Sequence, residues 1–227
     1  MFSKFFVLPL RRFHKNIMLT TKDRIIVHSM ELFAKKGCKT ITMDDIAASL
    51  GISKRTIYEN FSDKNDLIQA CLISFFNSQE ENIKEALKSS HNIIDAMYTQ
   101  LQANSKRMMK IKFDFFNEIQ KYYPKVYNNV IKVHEKRYFQ NMLELLQKGQ
   151  TDGVINKDID VRVVTVLMHE ISNLILNSDK FDNYGIEKKD LMSVMHFLSR
   201  GIATEKGVKI IDDYIKEFKK IKYDDTI

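Results

Sequence analysis

A short run of polar side chains, residues 54–60, has the chemistry that is needed to read a nucleic acid base. The guanidinium of Arg55 can bond two guanine atoms at once, and Thr56 can bond a base edge or touch a thymine methyl group. Lys54 adds a cation beside them, and Asn60 carries the amide that pairs with adenine, although its place near the end of the run can turn it away. These residue types predict contacts to DNA if the run lies in a major groove.

Three further residues, Thr42, Tyr58 and Lys64, are suited to the phosphate backbone, where contacts set the register without reading the sequence. Lys64 stands in the first turn of a predicted helix, and a cation at that end opposes the helix dipole. A phosphate against the helix end would explain the lysine, because free backbone N–H groups and the ammonium can bind it together. The candidate DNA contacts are therefore Thr42, Lys54, Arg55, Thr56, Tyr58, Asn60 and Lys64.

The elements that must position these side chains are two short helices joined by a tight turn. Thr42 and Asp45 have the spacing of a capping box at the start of the first helix. Gly51 falls where a helix ends in a residue with positive φ, a conformation that costs glycine almost nothing. Ser53 is the residue type that begins a helix, so it predicts the start of the second one.

The packing positions of these two helices are typical of a helix-turn-helix motif spanning residues 42–61. The small Ala47 lets the helices approach closely, Gly51 makes the bend, and Ile57 fixes the crossing angle. In such a motif the second helix enters the major groove. The pattern therefore predicts that residues 54–60 form a recognition helix.

Residues 22–67 resemble the N-terminal domain of the TetR/AcrR family of transcriptional regulators. The resemblance rests on R-I-I…LF…G in the first helix, T-x-x-D-I-A…G-I-S in the helix-turn-helix, and Y-x-x-F…K-x-x-L at the start of the fourth helix. It covers about 46 contiguous residues without a gap. Many members of the family have glycine where this chain has Arg55, which sets its recognition surface apart from theirs.

The resemblance implies an all-α fold, with an N-terminal three-helix helix-turn-helix domain and a larger C-terminal helical domain for ligand binding and dimerisation. It implies a sequence-specific DNA-binding transcriptional regulator, with a repressor favoured over an activator. Such a regulator leaves a pseudo-palindromic double-stranded operator when a small-molecule effector binds. The last two main helices of each subunit are implied to form the homodimer interface. Beyond about residue 80 the resemblance implies a fold but no particular residues.

The composition also favours an all-helical fold, because the 227 residues include only seven Gly and two Pro. We expect three parts: an N-terminal extension at 1–18, a DNA-binding domain at 19–79, and an effector-binding and dimerisation domain at 80–227. Apolar residues at three- and four-residue spacings predict the helices of the third part. These predicted helices lie near 92–105, 107–121, 125–149, 160–179, 187–204 and 208–221.

The net charge of +7 is unevenly distributed. Residues 1–18 contribute +4, whereas residues 19–66 hold eight basic and seven acidic residues. DNA affinity must therefore come from a local patch rather than from overall charge. The basic extension has two interpretations: an arm that reaches into a minor groove, or a segment without such a role, which is either a frayed tail or leader residues upstream of a true start at Met18. We favour the second.

The two cysteines, Cys38 and Cys71, form no CxxC pair and no metal-binding set. We interpret them as free thiols of a cytoplasmic protein, and as inert core residues rather than redox sensors. The longest apolar runs are too short for a membrane span, so we expect no membrane partner.

A predicted effector pocket involves polar groups in apolar settings within the C-terminal part. Methionine and aromatic side chains, which fill cores by default, can also line an adaptable pocket for an apolar or amphipathic molecule. The candidate pocket residues are Phe113, Phe116, His134, Tyr138, His169 and Asn173.

No catalytic motif stands out, and we predict neither enzymatic activity nor a cofactor. HExxH, GxSxG, GxGxxG and P-loop patterns are absent from the sequence. The alternative to a regulator is a helical ligand-binding or interaction protein that keeps the fold without specific DNA binding. The near-neutral charge of residues 19–66 gives that alternative slight support.

Overall fold

The computed structural model describes residues 19–99, 115–177, 184–185 and 188–224. Their regular structure is helical, with one isolated β-bridge between Ile155 and Ala203, so the predicted all-α class is confirmed. The helices are α1 (Thr21–Lys36), α2 (Met43–Leu50), α3 (Lys54–Asn60), α4 (Lys64–Ser89), α5 (93–99), α6 (Phe115–Tyr122), α7 (Pro124–Val126, Tyr127–Ile131 and Lys132–Thr151 without a break), α8 (Val161–Asn177), α9 (Lys188–Ile202) and α10 (Glu205–Asp224).

The described residues divide into two compact units. The first draws its residues from 1–81 and 110–135, and the second from 82–109 and 136–227. The first unit therefore combines the predicted DNA-binding helices with α6 and the beginning of α7.

In the first unit, local sequence signals mark both ends of α1. Thr20 caps the helix in a reciprocal pair with Asp23, and Gly37 ends it with a φ of 86°. The inner faces of α1 to α4 are closed from water, which fixes the helices relative to one another. Their fully buried side chains include Ile25, Phe33, Ile46, Ile57, Phe61, Leu67 and Leu72.

Helix α7 differs from its prediction at two places. The helix does not end at Gly149 but continues to Thr151, and the turn follows at Gly153, whose φ is +70°. Gly149 is buried within the helix because Ile155 packs against it: a Cβ there would lie 2.6 Å from Ile155 Cδ1. The π-helical segment Tyr127–Ile131 was also not predicted, since it leaves no residue signature.

The second unit has its own core, formed by α5, α7, α8, α9 and α10. Its buried members include Ile94, Tyr98, Leu146, Ile155, Met168 and Ile211. Ile210, Tyr214 and Ile215 of α10 pack against this cluster. The last helix therefore docks on the core of the second unit through these residues. No helix within the described ranges combines the length and apolar character needed to cross a membrane.

Candidate DNA-binding interface

The predicted helix-turn-helix is present, with each of its local signals in place. Thr42 caps α2: its Oγ1 accepts from the N–H of Asp45 at 3.1 Å, and Asp45 Oδ2 accepts from the N–H of Thr42 at 2.9 Å. Gly51 adopts the left-handed conformation, with φ 64° and ψ 33°. Ser53 Oγ accepts from the N–H of Thr56 at 3.0 Å and so caps α3.

The capping carboxylate at the start of α2 is held in its ionised form. The side-chain hydrogen bond from Thr42, followed by the backbone bond from the same residue, lowers the pKa of Asp45 below its usual 3.8. The cap is therefore intact at neutral pH, and Thr42 is fixed at the exposed N-terminus of α2.

Helix α3 turns one face inward and presents the other to solvent. Ile57 is completely buried, whereas Tyr58 is 46% exposed and the side chain of Arg55 is 87% exposed. A seven-residue helix that is capped at one end and anchored by a buried side chain is rigid enough to present its polar face as a unit. Arg55 projects further into solvent than Lys54, whose side chain is 59% exposed.

The two cations of α3 are engaged with nearby acids. Lys54 Nζ lies 2.8 Å from Asp44 Oδ1, and Arg55 Nε lies 2.8 Å from Glu59 Oε1 one turn along the helix. The hydrogen bond to Asp44 raises the pKa of Lys54. Ion pairs between exposed groups are weak, so a phosphate or a guanine can displace the carboxylates. In the free protein, Glu59 holds the guanidinium of Arg55 along the helix.

Thr56 and Asn60 are bonded within the motif itself. Thr56 Oγ1 lies 2.8 Å from Ser53 Oγ, and Asn60 Nδ2 donates to the carbonyl oxygen of Thr56 at 2.8 Å. Asn60 is partly buried, and its amide turns back to its own helix. The predicted contact of Asn60 with adenine therefore requires that this bond first break. The inward bond agrees with the expectation that a residue near the helix end can turn away from the DNA.

Lys64 lies at the N-terminus of α4, as predicted, but the protein itself provides it with partners. Its Nζ donates to the carbonyl oxygen of Lys39 at 3.4 Å and lies 5.7 Å from the ring centre of Tyr123. Burial lowers the pKa of Lys64, while the nearby Cys38 and Glu118 act in the opposite direction. Lys64 therefore belongs to a cluster that joins α4, the turn after α1 and the end of α6.

Sequence reasoning missed the contribution of α6 to this cluster. A Glu118 carboxylate oxygen accepts from the backbone N–H of Lys39, and Tyr123 OH donates to the carbonyl oxygen of Cys38 at 3.3 Å. A Cβ on Gly37 would collide with the same carboxylate. The partners are 79 and 85 residues apart, and no local signal in the sequence indicates such pairing.

The cysteine prediction is confirmed, because both thiols are free and both are buried. Burial, and next the charge of Glu118, raises the pKa of Cys38 to about 12. Burial also raises the pKa of Cys71 well above its usual value. Both sulfurs remain protonated at neutral pH, which disfavours a role as redox sensors.

The predicted pocket residues fall into two groups. In the first unit, Phe76 of α4 stacks on His134, with ring centres 3.9 Å apart, and lies 6.4 Å from the ring of Phe116. His134 Nδ1 lies 3.5 Å from Glu80 Oε1.

In the second unit, the rings of Tyr138 and His169 lie 6.0 Å apart, and Asn173 Nδ2 lies 3.1 Å from His169 Nε2. Burial raises the pKa of Tyr138. The remaining candidate, Phe113, lies outside the described residues.

An apolar stripe runs along the outer side of α8. Four large apolar side chains lie on one face of this helix, and each is between 46% and 56% exposed. They are Val163, Val166, Leu167 and Leu174. Phe197 of α9 is 69% exposed. Large apolar side chains that share one helix face in water are typical of a surface that another protein covers.

Comparisons with known proteins agree with this geometry. Residues 25–71 match the family model described as bacterial regulatory proteins, tetR family. The HTH-type regulator YvaF of Bacillus subtilis is 30% identical over 101 residues, which are 44% of this chain and 53% of that protein. IcaR, the negative regulator of the biofilm operon icaADBC in Staphylococcus aureus, is 27% identical over 158 residues, which are 68% of this chain and 78% of IcaR.

A solved structure matches most of the chain. The fatty acid degradation regulator FadR from Bacillus halodurans has a TM-score of 0.66 over 80% of this chain and 96% of FadR, at 17% identity. At that identity the match shows the fold alone. It confirms the predicted combination of a helix-turn-helix domain with a second helical domain.

Proposed function

This chain belongs to the TetR family of bacterial regulatory proteins, and we propose that it is a homodimeric repressor whose operator affinity is controlled by a small molecule. The name of the Staphylococcus aureus relative as a negative regulator supports repression over activation. The similar proteins are transcriptional regulators rather than enzymes, and the proposal requires no cofactor. The protein acts in the cytoplasm, where its operator DNA lies.

The observation that carries the proposal is the exposed polar face of α3. Ser53 caps the helix, Ile57 anchors it, and the side chain of Arg55 is 87% exposed. In the proposed complex this face lies in the major groove, and Arg55 leaves Glu59 to bond a guanine. Thr42, Tyr58 and Lys64 bind phosphates on either side of the groove.

We place the dimer interface on α8 and α9. The exposed stripe that contains Val166 and Leu167, together with Phe197 of α9, is an apolar surface that a second copy of the chain would cover. A two-fold dimer places the same patch on both subunits and presents two recognition helices to two half-sites. The operator is therefore a pseudo-palindrome.

Helix α6 is the element that we expect to connect effector binding with DNA binding. Phe116 of α6 approaches Phe76, next to the stacked His134, and forms the part of the predicted pocket that lies in the first unit. Two residues further along the same helix, Glu118 holds the turn before Thr42. An apolar or amphipathic effector that moves Phe116 would displace the Glu118 carboxylate from the Lys39 N–H. A coupling free energy of about 1–3 kcal/mol between the two sites is typical of such switches.

A gel-shift experiment tests the proposal with DNA from upstream of the protein's own gene. Specific binding should weaken steeply as salt increases, because bound phosphates release counterions. Arg55→Ala should weaken it by about 1–3 kcal/mol. Lys216→Ala is the control, because Lys216 is also an exposed cation paired with a neighbouring acid, Asp213 at 3.6 Å, but lies on α10 in the second unit.

Two results would contradict the proposal. One is the absence of any sequence preference in the wild-type protein at low and moderate salt. The other is unchanged operator binding by both Arg55→Ala and Tyr58→Phe, since these variants remove a proposed base contact and a proposed phosphate contact.

A further inference from the structure

A cluster of lysines surrounds an exposed tyrosine at the end of α6. Lys39 Nζ lies 3.4 Å from the OH of Tyr122 and 4.6 Å from its ring centre. Lys121 Nζ lies 5.4 Å from the same ring centre. Tyr122 is 41% exposed, and both lysines are exposed. Two cations and one hydroxyl group therefore meet at a single accessible point.

The positive charge of this cluster is not neutralised by ion pairs. No salt bridge joins the ammonium of Lys39, Lys64 or Lys121 to a carboxylate of the described residues. Two acids beside the cluster keep their charge and act on Lys64, but each accepts from a backbone donor rather than from a lysine: Glu118 from the N–H of Lys39, and Asp45 from the N–H of Thr42.

The environment of the Tyr122 hydroxyl favours an anion. The hydrogen bond from Lys39, and then the charge of Lys121, lower the pKa of Tyr122. A phenol whose ionised form is stabilised in this way marks a region of positive potential. A phosphate oxygen placed there would meet the same two ammonium groups.

The cluster is continuous with the candidate phosphate contacts. Lys39 lies three residues before Thr42, and its carbonyl oxygen accepts from Lys64 Nζ. Both Thr42 and Lys64 are proposed to bind the DNA backbone. A strand that passes these two residues and continues along the same side of the first unit would reach the Lys39 ammonium.

We propose that Lys39, Lys121 and Tyr122 form an additional binding site for a DNA backbone phosphate, so that α6 itself contacts the operator outside the recognition helix. The inference rests on the proposed function, since it requires an operator. If so, the helix that contacts the flanking DNA is the same short helix that carries Phe116 of the predicted effector pocket. Bound DNA would then hold α6 in the arrangement in which Glu118 supports the helix-turn-helix.

The test uses the full-length protein and duplexes that the wild type selects from a random-sequence pool. Each duplex is prepared in a long form, with one further helical turn on each side, and in a short form without it. In the long form, the double variant Lys39→Gln/Lys121→Gln should reduce the slope of log affinity against log salt. The expected reduction is about 0.9 for each phosphate that the variant no longer binds, or about 1.8 for a dimer. In the short form, the variant and the wild type should have closely similar slopes.

Two further variants separate this site from a general effect of charge or folding. The double variant Lys157→Gln/Lys209→Gln makes the same charge change at two exposed lysines of the second unit, and should leave both slopes unchanged. Tyr122→Phe keeps the ring but removes the hydroxyl, so it should weaken binding to the long duplex without changing the thermal midpoint of unfolding.

The outcomes distinguish this inference from the proposed function. Equal slopes for Lys39→Gln/Lys121→Gln and the wild type on the long duplex would overturn the inference while the proposed function stands. An equal reduction by Lys157→Gln/Lys209→Gln would also overturn it, because the effect would then be one of overall charge. If the wild type selects no sequence from the pool, the proposed function and this inference both fail.

Discussion

The carboxylate of Glu118 on α6 accepts a hydrogen bond from the backbone N–H of Lys39, in the turn between α1 and α2. That turn leads directly to Thr42, the cap of the first helix of the helix-turn-helix. A side chain from a helix that is distant in sequence therefore holds the backbone from which the DNA-reading motif begins. The motif is therefore not positioned by its own two helices alone.

Removing this carboxylate should loosen the turn. Glu118→Ala leaves the Lys39 N–H without its acceptor, and a typical hydrogen bond contributes about 0.5–1.5 kcal/mol. We expect a lower free energy of unfolding by about that amount in urea titrations, and weaker operator binding in gel shifts. Gln120→Ala, an exposed change on the same helix, is the control. If the two variants have the same stability and affinity, the bond does not support the motif.

Local signals were sufficient to predict the helix-turn-helix because its caps and bend depend on nearest neighbours. Thr42 with Asp45, Gly51 and Ser53 each act within four residues, and the structure has all of them. The burial of Ile57 follows from the same periodic pattern. The protein's fold class could likewise be derived from composition and helical spacing.

The surroundings of the motif could not be predicted, since they depend on contacts between distant residues. Glu118 and Tyr123 approach the α1–α2 turn only when α6 packs on the first unit. The sequence likewise places Gly149 at a helix end, because glycine usually ends helices, whereas contact with Ile155 keeps it inside α7. The partners of Lys64 and the inward bond of Asn60 are similar cases.

Gly51 should be needed for its backbone conformation and not for space. Its φ is 64°, and a Cβ would meet no atom within 4 Å. Gly51→Ala should therefore destabilise the protein by about 1–2 kcal/mol, the usual cost of the left-handed conformation for other residues.

Gly201 is a matched control for this substitution, since a Cβ there also meets nothing within 4 Å but the residue is helical. Gly201→Ala should stabilise the protein by up to about 1 kcal/mol. Urea unfolding at one protein concentration measures both changes. Equal effects of the two substitutions would contradict the explanation from backbone conformation.

The Thr42–Asp45 cap should make stability depend on pH in the acid range. The folded-state pKa of Asp45 lies below its ordinary 3.8, so the unfolded chain binds the proton more tightly. The cap's contribution is therefore fully present above about pH 4, and is lost as pH falls through the lower folded-state pKa.

NMR titration of the Asp45 carboxylate tests this cause. Thr42→Val removes the donor hydroxyl and should move the pKa of Asp45 back towards 3.8. Thr40→Val is the control, because the Thr40 hydroxyl instead donates to the carbonyl oxygen of Lys36 at 2.9 Å. A pKa that is unchanged by Thr42→Val would show that the Thr42 hydroxyl does not cause the shift.

The stripe on α8 should be the surface through which two copies associate. Leu167 is 46% exposed, and a charge at its position would be buried without a partner if a second subunit covers it. We expect Leu167→Glu to sediment as a monomer at concentrations where the wild type is a dimer. Its operator affinity should fall as well, because one recognition helix then binds without the other.

Val133→Glu is the matched control: Val133 is 48% exposed but lies on α7 in the first unit, so this variant should remain dimeric. A dimeric Leu167→Glu variant with normal operator binding would place the interface elsewhere.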